Sequence, residues 1–350
     1  MTGPTTIRYG FLAYVSRSGS TMLGELLSRY EAICVCVEAN LPKELFGLGA
    51  YENPIFQSAD ELLDYLGEIS AYSKLPSWGL DCETVVEQLR DRLPGLTGRE
   101  LVRGLMEAYR REHAPESSVC LYKGSPAMPW DGRELLAAFP DFRVIHLHRD
   151  PRAVYASQKR SINPYTGSAF STSPLDTAEQ WHRAMRESER ADPDRWLDLR
   201  YEDVLASTDD CTGRVLEFLG IHDRKRSQTG ALATQLPREE RALHSRVAED
   251  PDRERAHSWR SEITPRERRA IEVVLGDRLA QLGYGPVDRA GAVSRWQVLL
   301  AWRARRIARL ARRAARLLLR LLSGDKRYWG KLRSMVGSRP GRGPRPERGA

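Results

Sequence analysis

The stretch Val15-Ser16-Arg17-Ser18-Gly19-Ser20-Thr21 decides how this chain is read. An apolar run, residues 7–15, leads into it, and Met22, Leu23, Leu26 and Leu27 follow at helical spacing. A strand, a tight Ser/Gly turn and a helix start, in that order, make an anion site. The N–H groups of a first helical turn have no partner inside the helix, and the helix dipole adds positive potential there. A nucleoside-triphosphate loop reads G-x-x-x-x-G-K-[ST]. Here Tyr14 stands at the first glycine position and Ser20 at the lysine position, so the cation comes three residues early, as Arg17. Gly19 permits close backbone approach, Ser18, Ser20 and Thr21 offer hydroxyl donors, and Arg17 offers a planar cation that grips paired oxygens. Taken alone, the same residues also suit an ordinary Ser/Gly turn that caps a helix.

Outward from this loop, apolar runs at 33–37, 119–123, 142–148 and 196–200 alternate with helical patterns at 21–30, 131–139, 151–160, 175–191, 215–219 and 264–282. Such alternation predicts an α/β fold with a parallel sheet flanked by helices. Residues 42–116 carry helical patterns at 59–70, 83–93 and 97–113, broken by Pro and Gly, and read as a helical insertion over the sheet. The expected organisation is one α/β domain over 1–290, a basic amphipathic helical tail over 291–336, and a Pro/Gly/Arg-rich end over 337–350 expected to be disordered.

A second anion segment appears at His148-Arg149-Asp150-Pro151-Arg152-Ala153-Val154-Tyr155-Ala156-Ser157. It too follows an apolar strand and opens a helix, with proline in the first turn. Arg149 falls at the strand's C-terminal end, where ligands bind in open α/β sheets. Ser157 lies about two helical turns on and shares the helix-start face. The competing reading is a structural Arg–Asp pair at a turn.

The two segments together resemble the sulfotransferases that use 3′-phosphoadenosine 5′-phosphosulfate (PAPS), and in particular the tyrosylprotein and carbohydrate types. Further pieces of the resemblance follow in order: Tyr122-Lys123-Gly124-Ser125-Pro126, Leu199-Arg200-Tyr201-Glu202-Asp203-Val204, His244-Ser245-Arg246 with Ser258-Trp259-Arg260, and Leu282-Gly283-Tyr284. The resemblance spans residues 6–285 and implies a P-loop-like fold with PAPS as sulfuryl donor and no metal. It implies that Arg17, Ser18, Gly19, Ser20 and Thr21 bind the phosphosulfate, that Arg149 and Ser157 bind the 3′-phosphate, and that Arg17 and Lys123 stabilise the transferring group. Glu38 matches the position of the base in tyrosylprotein sulfotransferases. Tyr201 and Trp259 are candidates for adenine contact, Arg260 for the 3′-phosphate and Ser245 for the phosphosulfate. Arg253 and Arg255 suit either cofactor contact or a solvated face. His182 is the second candidate for the base, while His146 and His148 suit packing or strand-end hydrogen bonds. The acceptor is not named by the sequence; a glycan, glycolipid or secondary metabolite with a hydroxyl or amine fits. The alternatives are a kinase or NTPase, which the absent loop lysine disfavours, and an inactive membrane-tethered adaptor on the same fold.

Composition is that of a globular chain, with 41% hydrophobic and 29% charged residues. The net charge of +8 hides a split: residues 291–350 hold 17 Lys+Arg against two acids, +15, which leaves −7 for residues 1–290. Cys34, Cys36, Cys82, Cys120 and Cys211 show no metal-ligand spacing and read as reduced buried thiols in a cytoplasmic protein. No signal peptide and no 18-residue uncharged apolar run is seen. On a helical wheel for 294–322, Arg295, Arg305, Arg306, Arg309, Arg312, Arg313, Arg316 and Arg320 share one arc. Trp296, Leu299, Leu300, Ile307, Leu310, Leu317, Leu318 and Leu321 share the opposite arc, with Trp302 and Arg303 breaking the pattern. Such a helix suits an anionic membrane surface, on the inner face of a membrane. The alternatives are a helix whose apolar face packs on the body while its arginines stay solvated, and nucleic-acid binding, for which the acidic body offers no basic groove.

Overall fold

Five apolar runs pair edge to edge in the computed structural model, which describes residues 7–46, 53–124, 132–228, 230, 232–241, 256–285 and 294–322. The chain opens with β1 (Arg8–Tyr14), α1 (Ser20–Ser28) and β2 (Ile33–Cys36). The insertion holds β3 (Ile55–Phe56), α2 (Ala59–Ser70), α3 (Cys82–Leu89), β4 (Leu96–Thr97) and α4 (Gly98–His113). Then come β5 (Val119–Lys123), α5 (Gly132–Ala138), β6 (Arg143–His148), α6 (Pro151–Arg160), α7 (Pro174–Ser188) and β7 (Trp196–Arg200). The rest is helical: α8 (Tyr201–Ala206), α9 (Thr208–Phe218), α10 (Leu232–Gln235), α11 (Arg238–Arg241), α12 (Trp259–Glu262), α13 (Pro265–Leu275), α14 (Arg278–Gln281) and α15 (Arg295–Leu322).

The main sheet runs β2-β5-β1-β6-β7, all parallel, with Leu12 beside Lys123 and Tyr14 beside Leu147. Helices cover both faces, so β2 and β5 are buried end to end and read as unbroken apolar runs. One core holds Phe11, Phe46, Tyr122, Phe139 and Phe142, with α4 laid against β2 and β5. A second core joins α6, α7 and α13 through Val154, Trp181, Ile271 and Tyr284. Local signals set the boundaries. Thr97 and Glu100 form a capping box on α4, Thr264 and Glu267 do so on α13, and Asp150 caps α6 ahead of Pro151.

Four features differ from expectation. The insertion is not wholly helical, because β3 and β4 pair antiparallel, two residues each. The helix expected at 264–282 divides at Gly276, whose φ of 55° ends α13 before α14 begins. The helix expected at 215–219 starts at Thr208, and α8 follows β7 without an intervening turn. The register of β2 with β5 sets Cys120 beside Cys34, so Cys34, Cys36 and Cys120 hold their sulfurs within 4.8 Å of one another in the core.

Helix α15 reverses the packed-helix expectation. It meets the body by polar and basic side chains, and Trp296, Leu300, Ile307, Leu310 and Leu318 are exposed. No described helix is long and apolar enough to cross a membrane. The expected disorder at 337–350 and the tail beyond 322 lie outside the described residues.

Candidate active site

The strand order lines up five strand ends along the C-terminal edge of the sheet. In sequence across that edge stand Glu38 after β2, Lys123 at the end of β5, the 15–19 loop after β1, Arg149 after β6 and Tyr201 after β7. The chain reverses its direction of progress across the sheet at β1, and such a switch point is where open α/β sheets bind ligands.

The loop itself is tightly specified. Ser18 N–H donates to Val15 O at 3.0 Å, and Arg17 and Gly19 both have left-handed backbones, φ 72° and 94°. For Arg17 that conformation costs roughly 1–2 kcal/mol, a strain of the kind held at functional loops. At Gly19 a Cβ would come within 2.3 Å of the Tyr201 ring, so only glycine fits. The first turn of α1 has no acid, which leaves its positive end unopposed. Ser18 Oγ is buried with no hydrogen-bond partner among the described residues. Ser20 shares a hydrogen bond with Tyr14, and Thr21 is buried.

The second anion segment is stitched to the first. Arg17 Nε donates to Ser157 Oγ at 3.2 Å, and Arg149 Nη1 reaches Arg17 O at 3.4 Å. Gln158 Nε2 donates to Ser16 O at 3.0 Å, and Trp181 Nε1 donates to Arg149 O at 2.9 Å. The Arg149 guanidinium lies 4.4 Å over the Tyr201 ring, and Arg17 lies 5.8 Å from the Phe170 ring. Arg17, Ser18, Gly19, Arg149, Ser157 and Tyr201, singled out separately in the sequence, therefore meet at one place.

On the other side of the loop, Tyr14 OH donates to Glu38 Oε2 at 2.8 Å, and Lys123 Nζ lies 3.4 Å from Tyr14 OH and 4.0 Å from Glu38 Oε2. The backbone on either side of Glu38 is fixed by the insertion: Trp78 Nε1 donates to Val37 O at 3.0 Å and Lys74 N–H to Ala39 O at 2.8 Å. Burial lowers the pKa of Lys123, and Glu38 opposes that shift. Burial and then Glu38 push the Tyr14 pKa well up, so Tyr14 stays a hydrogen-bond donor.

A neighbouring cluster has no counterpart in the sequence reading. Lys74 and Glu240 form an ion pair at 2.5 Å with both side chains mostly buried, and Tyr165 OH donates to Glu240 Oε1 at 3.0 Å. The charges of Glu240 and Lys74 both act on Lys123, and Glu38 contributes to the raised pKa of Tyr165. Three distant segments thus wall the Glu38 side of the site, and no spacing within the sequence encodes that meeting.

Other expected residues have other partners. Trp259 is buried in the second core, which also holds Val15, with the Arg152 guanidinium 4.3 Å over its ring, and Arg260 sits beside the same ring at 5.2 Å. Ser245, Arg253 and Arg255 lie outside the described residues. His182 contacts Arg278 and Trp302 rather than Glu38 or Lys123. His146 pairs with Asp198 at 2.7 Å and His148 with Tyr284 OH at 2.8 Å. The turn after β6 does hold a structural Arg–Asp pair, but through Arg152: it binds both Asp150 oxygens, Glu272 at 2.9 Å and Tyr284 O at 2.7 Å. Arg149 is thereby left for the loop. Glu202 accepts the Asp150 N–H at 3.0 Å, and burial raises its pKa.

The profile of the Sulfotransferase family matches residues 11–225, more than half of the chain. Among curated proteins, omega-hydroxy-beta-dihydromenaquinone-9 sulfotransferase Stf3 of Mycobacterium tuberculosis is 27% identical over 148 residues, 39% of this chain and 37% of that protein. The Mycobacterium bovis protein of the same name matches equally. The chain thus spans little more than a third of the length of these curated relatives. Among solved structures, the sulfotransferase domain of the Synechococcus PCC 7002 olefin synthase superposes with a TM-score of 0.51 at 18% identity, over 81% of this chain and 98% of that domain. That is a likeness of fold.

Proposed function

This chain belongs to the sulfotransferase family, and from that premise we propose that it transfers a sulfuryl group from PAPS to a hydroxyl or amine of an acceptor, a glycan, glycolipid or secondary metabolite. One observation carries the reading. Arg17, Arg149 and Ser157 converge on one side of a strand–loop–helix turn, and Lys123 with Glu38 stand on the other.

The donor is a nucleotide with two separate anionic groups, and the residues fit it. Arg149 and Ser157 would hold the 3′-phosphate. The N–H groups that open α1, with Arg17, Ser18, Ser20 and Thr21, would hold the phosphosulfate. A buried, unpaired Ser18 hydroxyl is what a site awaiting an anionic oxygen presents. Tyr201, beside Gly19 and Arg149, would face the adenine, and Trp259 and Arg260, beside Arg152, stay candidates for the nucleotide side. When bound, PAPS supplies an electrophilic sulfur on a phosphate leaving group. The chain's own residues then position and neutralise, as proteins do in phosphoryl transfer. Glu38, its oxygen oriented by Tyr14, takes the acceptor's proton. Lys123 and Arg17 offset charge on the leaving side. A related protein is, by its name, a sulfotransferase of omega-hydroxy-beta-dihydromenaquinone-9, which supports a hydroxyl acceptor here.

The test is transfer of radiolabelled sulfur from PAPS to a panel of glycans, glycolipids and small phenols and amines. Wild-type chain should label one class. Glu38→Gln, which keeps the shape and loses proton acceptance, should cut turnover by about 10²–10⁴ while donor binding persists. Phosphate transfer from ATP in place of sulfate transfer would contradict the proposal, and so would Glu38→Gln turning over at the wild-type rate.

A further inference from the structure

Helix α15 is fastened to the body by the side that the sequence makes basic. Trp302 Nε1 donates to Glu179 at 2.8 Å, Arg305 donates to Ser173 Oγ at 2.8 Å and pairs with Asp176 at 3.2 Å, and Arg306 approaches Glu179 at 3.5 Å. Val298 is buried beneath the same side. Among the described residues these polar partners belong to α7 or to Ser173 just before it, so an acidic ridge of the body takes up Trp302, Arg305 and Arg306 of this face.

The opposite face is apolar and has no cover. Trp296, Leu300, Ile307, Leu310 and Leu318 are each more than half exposed. At 100° per residue their positions fall within about 80° of one another, and the strip runs about 33 Å. A continuous apolar strip of that length held in water marks an interaction surface rather than scattered surface residues.

We propose that this strip lies in the surface of an anionic lipid bilayer, with α15 parallel to the membrane plane and the catalytic body above it. Charge selects the occupant. Arg303 is exposed within the arc of the strip and Arg295 is exposed on the basic arc, and residues 291–350 carry +15 by sequence. A second copy would set like charge against like, whereas acyl chains take the strip and anionic headgroups take the arginines that the body leaves exposed. A nucleic acid would leave the apolar strip in water. The helix is not apolar enough to span a bilayer, and an indole at one end of the strip suits the headgroup boundary.

The placement bears on the acceptor, and this part rests on the sulfotransferase reading. Ser173, which Arg305 holds, closes the 161–173 segment. That segment sets Phe170 against Arg17 and Tyr165 on Glu240. The membrane-lying helix is therefore fastened to the wall of the candidate acceptor site, and an amphiphilic hydroxyl acceptor would reach Glu38 from the bilayer surface.

The test is flotation of the full chain with vesicles of phosphatidylcholine and phosphatidylglycerol in equal parts, and with phosphatidylcholine alone. The full chain should float with the anionic vesicles at low salt and be released at high salt. The triple variant Leu300→Glu, Ile307→Glu, Leu310→Glu should lower partitioning on the order of a hundredfold, with an unchanged melting curve in lipid-free solution because these residues point away from the body. Full chain that floats with neither vesicle would overturn the proposal. A lipid-free dimer that the triple variant dissolves would assign the strip to a second copy, and a lowered melting temperature would assign it to the interior; both overturn it. The readout needs neither donor nor turnover, so failure here leaves the sulfuryl-transfer reading standing, and failure of that reading leaves this one testable.

Discussion

Lys123 is the residue at which function and stability pull apart. It is almost fully buried, and burial drives its pKa below the ordinary lysine value, with Glu38 pulling the other way. The folded chain releases this proton at a lower pH than the unfolded chain does. The charged form therefore costs stability at neutral pH, and the cost disappears as pH rises towards the ordinary value of 10.5. A group kept at such a cost belongs to the chemistry. Lys123→Met preserves length and apolar volume, so it should leave the urea midpoint unchanged or raised. Turnover should fall by about 10²–10³, the usual loss when one charge-stabilising donor is removed. The wild type should also lose activity as pH rises through the lowered Lys123 pKa, and the variant should lack that limb. A variant that unfolds more easily yet turns over normally would make Lys123 a packing residue.

At the scale of elements, the turn from β6 into α6 depends on Arg152 rather than on Arg149. Arg152 is 2% exposed and holds Asp150, Glu272 and the Tyr284 carbonyl together, which ties α6, α13 and the 284 end to one point. Arg152→Ala would strand two buried carboxylates, and loss of one partner of a buried ion pair costs about 3–5 kcal/mol. Urea unfolding should show that loss; a change below about 1 kcal/mol would place these charges in water. The sequence singled out Arg149 and gave Arg152 no role, because the partners Glu272 and Tyr284 lie more than a hundred residues away and only the fold brings them to it. Elements with their own period or punctuation were legible: β1 by its apolar run, α6 by Pro151, α4 by its helical spacing over 97–113. The pair β3–β4 was not, since two residues a strand give no alternation to read. Nor was α8, which begins where β7 ends without Gly, Pro or an N-cap residue between them. Of the candidate site, the two anion segments that meet at Arg17 were legible because strand ends and helix starts carry local signals. The Lys74–Glu240–Tyr165 wall was not, because it is assembled from three segments that only the fold brings together.

For the whole molecule, the charge split becomes a division of labour. The acidic body takes up part of the basic helix on α7, and its sheet edge collects cations at the two anion segments. On the proposed function that edge orders the molecule: acceptor side at Glu38, transfer centre at Lys123 and the 15–19 loop, nucleotide side at Arg149 and Tyr201, in the order of the strands. The central claim is that this edge is built for a nucleotide with a 3′-phosphate, not for a triphosphate. Calorimetric titration of the full chain with adenosine 3′,5′-bisphosphate, set against ATP with magnesium, tests it most directly. The bisphosphate should bind and ATP should bind far more weakly. Arg149→Ala should weaken the bisphosphate by roughly 1.5–3 kcal/mol while leaving adenosine 5′-phosphate unchanged. ATP binding more tightly than the bisphosphate, or Arg149→Ala weakening both adenosine ligands equally, would contradict the account.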